Sequence, residues 1–158
     1  MPGSNGSEKL SQSGVILTYL AETTGRFGGG DDRERREILK WILFDNHKFT
    51  SYLASYRFMR TFTRTGDPAV MDFLKGRITG AFGIVEKHLA AQPFIAGARP
   101  TIADFSMCGY LFFPPEELGF DLAAEFPAMH AWTDRIRTLP GWVHPYQLMP
   151  GHPLPESP

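Results

Sequence analysis

Apolar residues recur at helical spacing through most of the chain, and strand-like alternation of useful length is absent. In residues 13–24, Val15, Ile16, Tyr19 and Leu20 share a helical period, and Gly25 supplies a stop. Leu10, just upstream, is placed to end a short strand. The glycine-rich stretch 27–30 reads as a hinge and a boundary between structural units. Asp31 and Asp32 then open a long helix, their negative charge suiting its amino end. Ile38, Ile42, Phe49, Leu53 and Tyr56 hold one face of it through about Phe62. The charged run 33–37 reads as a solvated face with weak local ion pairs.

Thr65-Gly66-Asp67-Pro68 breaks the pattern and restarts it, with Asp67 as N-cap and Pro68 at the first helical position. The helix that follows runs to about Ala91 on a stripe of Val70, Leu74, Ile78, Ala81, Val85 and Leu89. Gly76, Gly80 and Gly83 lie inside it, and each costs roughly 1 kcal/mol against Ala. Close approach of another helix is the expected compensation. Thr101 and Asp104 have the spacing of a capping box, in which each side chain satisfies the other's backbone N–H. Phe105, Met107, Tyr110, Leu111 and Phe112 follow, too apolar a setting for an idle carboxylate. Pro114-Pro115 ends that helix. Residues 122–139 are helical again with a break at Pro127, and Pro140-Gly141 terminates them. The proline-rich tail from Trp142 is expected to be extended, its first part packed down by Trp142, Tyr146 and Leu148. The fold class is all-α, a helical bundle.

Composition narrows the function classes. With 158 residues, 42% of them hydrophobic, the chain fits one domain, or one domain with a remnant of another. A net charge of −1 offers no basic footprint for nucleic acid. The single cysteine, Cys108, excludes an intrachain disulfide and fits a reducing compartment. The apolar run 105–115 is far short of the ~20 residues that span a bilayer. Residues 1–7 lack a signal-peptide core and read as a disordered leader, so a cytoplasmic protein without a membrane partner is expected. The five histidines show no metal-ligand spacing, and no metal is expected. Cys108 sits among apolar residues and reads as an inert thiol.

Three separated segments resemble one family. Gln12-Ser13-Gly14 and the residues up to Glu22 resemble the glutathione-contacting turn and third helix of glutathione transferases. Residues 94–104, Phe-Ile-Ala-Gly-Ala-Arg-Pro-Thr-Ile-Ala-Asp, are similar to the capping-box segment of their helical domain. Residues 136–142, Ile-Arg-Thr-Leu-Pro-Gly-Trp, are similar to the end of that domain in bacterial members. The resemblance runs from about Lys9 to about Gly151. The family plan is a thioredoxin-like domain followed by an all-α domain. It implies that residues 1–30 are a disordered leader and a thioredoxin-like remnant, with a last strand edge and helix. Residues 31–150 are then the helical domain, and 151–158 a flexible tail. It also implies a truncated chain. Nothing here matches the early strand and helix bearing the Tyr, Ser or Cys that acts on glutathione sulfur, or the Val-Pro turn that pairs with the tripeptide.

The resemblance assigns residues as well. Ser13 and the helix end behind it would hold the γ-glutamyl carboxylate of glutathione, and Gln12 its amino group. Free N–H groups at a helix amino end form an anion site, and Ile16, at the third helical position, cannot close a capping box on Ser13. The plainer alternative is that Ser13 only caps the helix. His47 and Lys48 resemble a pair that faces the active-site cleft in bacterial members, with Tyr52 and Tyr56 lining an electrophile pocket. The alternative places both charged residues on the surface and both tyrosines in core or rim. Thr101 and Asp104 are a folding signature, and Asp104→Ala is expected to cost roughly 1–3 kcal/mol. The implied activity is conjugation of glutathione, as co-substrate, to small electrophiles by a homodimer. It would be weak or absent in the truncated chain. The alternative is a non-catalytic helical binding or assembly module of the same fold.

Overall fold

In the computed structural model, which describes residues 9–149, the helices after Asp31, Asp67 and Thr101 start where the sequence supplies a cap. The expected leader, 1–7, and the expected tail, 151–158, lie outside the described residues. Helix α1, Ser13–Thr24, stops at Gly25, whose φ of 67° is left-handed and suits glycine. Asp31 caps α2, Asp32–Phe44, by accepting from the Glu34 N–H at 2.7 Å. The same rod continues through a π-helical turn, Asp45–Phe49, then α3, Thr50–Arg57, and a second π-helical stretch, Phe58–Thr63. Asp67 caps α4, Pro68–Leu89, through the Ala69 N–H at 2.8 Å. Helix α5, Ile102–Cys108, passes into a 3-10 turn, Gly109–Phe112. Short helices α6, Pro115–Leu118, and α7, Leu122–Glu125, lead to α8, Pro127–Arg137. A final turn, α9, spans Pro145–Leu148.

The core lies where α3 and α8 pack on α4, with α5 at its centre. Phe82 meets the rings of Phe49, Phe126 and Phe120 at 5.0, 5.2 and 5.3 Å. Thr101 and Asp104 form the capping box. Both are fully buried, and the carboxylate does more than cap. Oδ2 accepts from the Thr101 N–H at 2.8 Å and the Thr101 hydroxyl at 3.0 Å. Oδ1 accepts from the Ile95 N–H at 2.8 Å and from Nε1–H of Trp132, on α8, at 2.9 Å. Burial pushes the Asp104 carboxyl above the usual carboxylate range, and these four donors oppose that shift.

Several expectations are corrected. Leu10 lies in coil, because among the described residues there is no strand for it to pair with. Val15, Ile16, Tyr19 and Leu20 face outward, and α1 instead packs inward through Gly14, Leu17 and Ala21. A Cβ at Gly14 would stand 2.8 Å from Ile42 Cγ2, so the close helix approach occurs here. Gly76, Gly80 and Gly83 have nothing within 4 Å of where their Cβ would be, so they do not mark a close helix contact. Val70 is likewise exposed. Residues 122–139 form two helices split at Phe126, as the break at Pro127 implies, and the second ends at Arg137. The tail is helical over α9. His144 Nδ1 accepts from the Tyr146 N–H at 3.1 Å, and the Tyr146 hydroxyl donates to buried Glu117. Glu117 also takes Nε and Nη2 of Arg57, so a buried ion pair anchors the tail.

Candidate site at the amino end of the first helix

Gln12, at the N-cap of α1, has φ 70° and ψ 124°, a sparsely populated conformation that costs on the order of 1–3 kcal/mol. Among the described residues no side chain caps the helix. Ser13 is the first helical residue, so it does not fill the N-cap position its chemistry suits. Both side chains are exposed, and neither has a hydrogen-bond partner among the described residues. The first turn of α1 therefore presents backbone donors and a hydroxyl to solvent, a setting suited to a carboxylate. Contact of Gly14 with Ile42 holds this end against α2, and a Cβ at Gly14 would lie 3.8 Å from Asn46 Nδ2. The π-helical turn bearing Asn46 and His47 thus stands beside Gln12 and Ser13.

The other residues of the expected cleft divide. His47 is exposed in the π-helical turn. Lys48 and Tyr52 turn toward α4, where they line a shallow groove with Gly76, Arg77 and Gly80. Nη2 of Arg77 donates to the Tyr52 hydroxyl at 3.2 Å. Tyr56 is only 4% exposed; its ring meets Phe120 at 6.1 Å and packs on Gly119. It is a core residue, because one further helical turn carries it onto the face that holds Phe49 and Leu53.

An aromatic array that the sequence pattern does not announce lies at the end of the rod. Exposed Phe58 and Phe62 stack at 6.1 Å, and the Arg57 guanidinium lies between the rings of Phe62, at 5.0 Å, and Phe113, at 3.5 Å. Phe113 in turn meets Tyr110 and Tyr146, each at 5.6 Å. The i, i+4 spacing of Phe58 and Phe62 was the available signal. Asp45, at the start of the π-helical turn, is buried and accepts from the Thr50 hydroxyl and from Ser106 Oγ at 2.6 Å. Burial pushes its carboxyl up. Burial, aided by the Asp104 charge, pushes the Cys108 thiol up to about 12, which withholds the thiolate form. Among the described residues, no three His, Cys, Asp or Glu side chains group to hold a metal, and no helix is long and apolar enough to cross a membrane.

Comparison with known proteins gives the class. The profile of the glutathione S-transferase C-terminal domain matches residues 68–135. A crystal structure of a glutathione S-transferase from Xanthobacter autotrophicus Py2 superposes with a TM-score of 0.78 at 30% identity, over 89% of this chain and 69% of that one. The chain belongs to the glutathione S-transferase family. Disulfide-bond oxidoreductase YfcG of Escherichia coli K12 is 28% identical over 138 residues, which is 86% of this chain and 63% of that protein. A glutathione transferase from Burkholderia graminis, solved with two glutathione molecules bound per subunit, shares the fold at a TM-score of 0.71 and 23% identity. The chain thus spans less than two thirds of the length of the E. coli relative.

Proposed function

We propose that this chain is the helical part of a glutathione-using transferase, and that the amino end of α1 anchors glutathione. The γ-glutamyl carboxylate lies on the Ser13 hydroxyl and the free N–H groups of the first turn, and Gln12 meets the amino group. The observation that supports this reading is the end of α1, where strained Gln12 and exposed Ser13 stand side by side and no described residue caps the helix or pairs with Ser13. Helix dipole and free donors both favour a carboxylate there. The glutathione bound to the Burkholderia relative supports the choice of ligand. The aromatic array around Phe58, Phe113 and Tyr146 is the apolar surface for the electrophile, with His47 at the glutathione end of it. The complete protein is a cytoplasmic homodimer that transfers glutathione to small electrophiles.

The thiol of glutathione is activated by a thioredoxin-like segment that covers the exposed face of α1. The 158-residue polypeptide alone therefore retains part of the anchor and little turnover. Calorimetric titration of this polypeptide with glutathione tests the anchor. Weak binding that Ser13→Ala reduces about tenfold is expected, whereas equal affinity in the variant would refute the assignment. Turnover of a chloronitrobenzene by the polypeptide at the rate of a full-length family member would refute the dependence on a second segment.

A further inference from the structure

The turn 64–67, between the second π-helical stretch and α4, closes on a thioether. A Cβ at Gly66 would stand 2.5 Å from Sδ and 2.7 Å from Cγ of Met71, and 3.5 Å from Cβ of Met59. The Gly66 backbone therefore lies directly on the end of the Met71 side chain, an approach that a Cβ would block unless Met71 moved. Met71 and Met59 are half-buried and pack against the core, whereas Arg64, Thr65 and Asp67 are exposed. Arg64 has φ 52°, a left-handed conformation that residues other than glycine adopt at a cost. The Thr65 hydroxyl donates to that of Thr63 at 2.9 Å, the Met71 N–H donates to the Asp67 carbonyl at 2.9 Å, and the Asp67 carboxylate accepts from the Ala69 N–H at 2.8 Å. These bonds all lie within residues 63–71, and the contact of Gly66 with Met71 ties the turn to the core.

The sulfur atoms of the described residues divide by access. Met107 and Met129 are 0% exposed and Cys108 only 5%. Burial also keeps Cys108 a thiol, and the thiolate is the form that attacks. A thioether reacts with a peroxide without ionising, so access decides which methionine is oxidised. Met71 and Met59 meet that condition at the turn, and Met149 meets it near the end of the described chain.

We propose that Met71 is an oxidation site, at which hydrogen peroxide converts the thioether to a sulfoxide and loosens the turn 64–67. A lone pair of Sδ takes one peroxide oxygen as the O–O bond breaks, and the other oxygen leaves as water with both protons. The sulfur is oxidised and the peroxide reduced. A sulfoxide is polar and carries an extra oxygen, on an atom that already touches the Gly66 backbone. Gly66 gives way, and Arg64 is released from its costly conformation. The turn directly follows the stretch that carries stacked Phe58 and Phe62, so the oxidant acts at the edge of the aromatic array. This site stands apart from the glutathione anchor and does not rest on it.

The folded 158-residue chain, treated with dilute hydrogen peroxide and mapped by peptide mass spectrometry, tests the site. Met71 should gain one oxygen at least tenfold faster than Met107 and Met129, with Cys108 unmodified. Amide hydrogen exchange of residues 64–71 should then be at least tenfold faster than in the untreated chain. Met71→Leu keeps an apolar seat of similar volume, and peroxide should leave its exchange unchanged. The double variant Met59→Leu with Met149→Leu removes the other half-buried thioethers and should keep the full response. It serves should Met71→Leu fail to fold. The proposal is overturned by oxidation of Met107, Met129 or Cys108 as fast as Met71, by unchanged exchange once Met71 is oxidised, by a full response in folded Met71→Leu, or by loss of the response in the double variant.

Discussion

Asp104 shows how much one side chain can organise. Its carboxylate serves Thr101, three residues before it, but also Ile95 and Trp132. Replacement by Ala strands the buried N–H groups of all three, and each unsatisfied group costs about 1–3 kcal/mol. Asp104→Ala should therefore destabilise by roughly 3–5 kcal/mol, more than loss of a cap alone. An unchanged urea midpoint would contradict this. The Thr101 half was legible because a capping box is local and its spacing is written in the chain. Trp132 lies 28 residues away, and no spacing rule connects a carboxylate to an indole at that distance. Asp45 gives a pH test. Its carboxyl is raised in the folded state, so the folded form holds its proton more tightly than the unfolded form. The stability it contributes is fully present below the unfolded value of about 4 and is lost as pH rises through the folded one. Relative to Asp45→Asn, the wild type should lose stability as the pH is raised above about 4. A constant gap between their urea midpoints would show that Asp45 is not the source.

At the scale of elements, helix starts were the most legible feature, because Asp31, Asp67 and Thr101 carry their own signals. The sides that helices bury were less legible, since periodicity gives spacing without saying what lies across from it. Val15, Ile16, Tyr19 and Leu20 have the period of a buried stripe yet face outward, while small Gly14 and Ala21 make the packed side. The two π-helical stretches were not visible either, because nothing in the composition of residues 45–49 or 58–63 separates them from α-helix. Gly76, Gly80 and Gly83 invite the converse test. Their Cβ positions are open, so Ala at each removes a propensity cost of roughly 1 kcal/mol without a clash. The triple variant should melt measurably higher. No gain, or a loss, would mean that helix propensity does not limit stability at these positions.

At the scale of the molecule, the outward face of α1 is an apolar surface that bears on behaviour in solution. Val15 is 50% exposed and Tyr19 45%, with Ile16 and Leu20 beside them. Contiguous apolar surface of this kind drives association when nothing covers it. The 158-residue polypeptide should show concentration-dependent self-association in sedimentation velocity, and Ile16→Ser with Leu20→Ser should abolish it without lowering the urea midpoint. Equal association in the variant would place the contact elsewhere. The candidate sites were only partly legible at this scale. Gln12 and Ser13 are adjacent in sequence, whereas the aromatic array joins Phe58 to Phe113 and Tyr146 across three chain segments. The indole of Trp132 gives the bundle one further property. It is fully buried and bonded to the carboxylate that fixes α5 to α8, so once Trp41 and Trp142 are replaced by Phe its fluorescence is an intrinsic optical gauge of that joint. As the joint opens, the ring passes from a dry to a wet environment and its emission shifts to the red, which lets the docking of the two helices be timed without any attached dye.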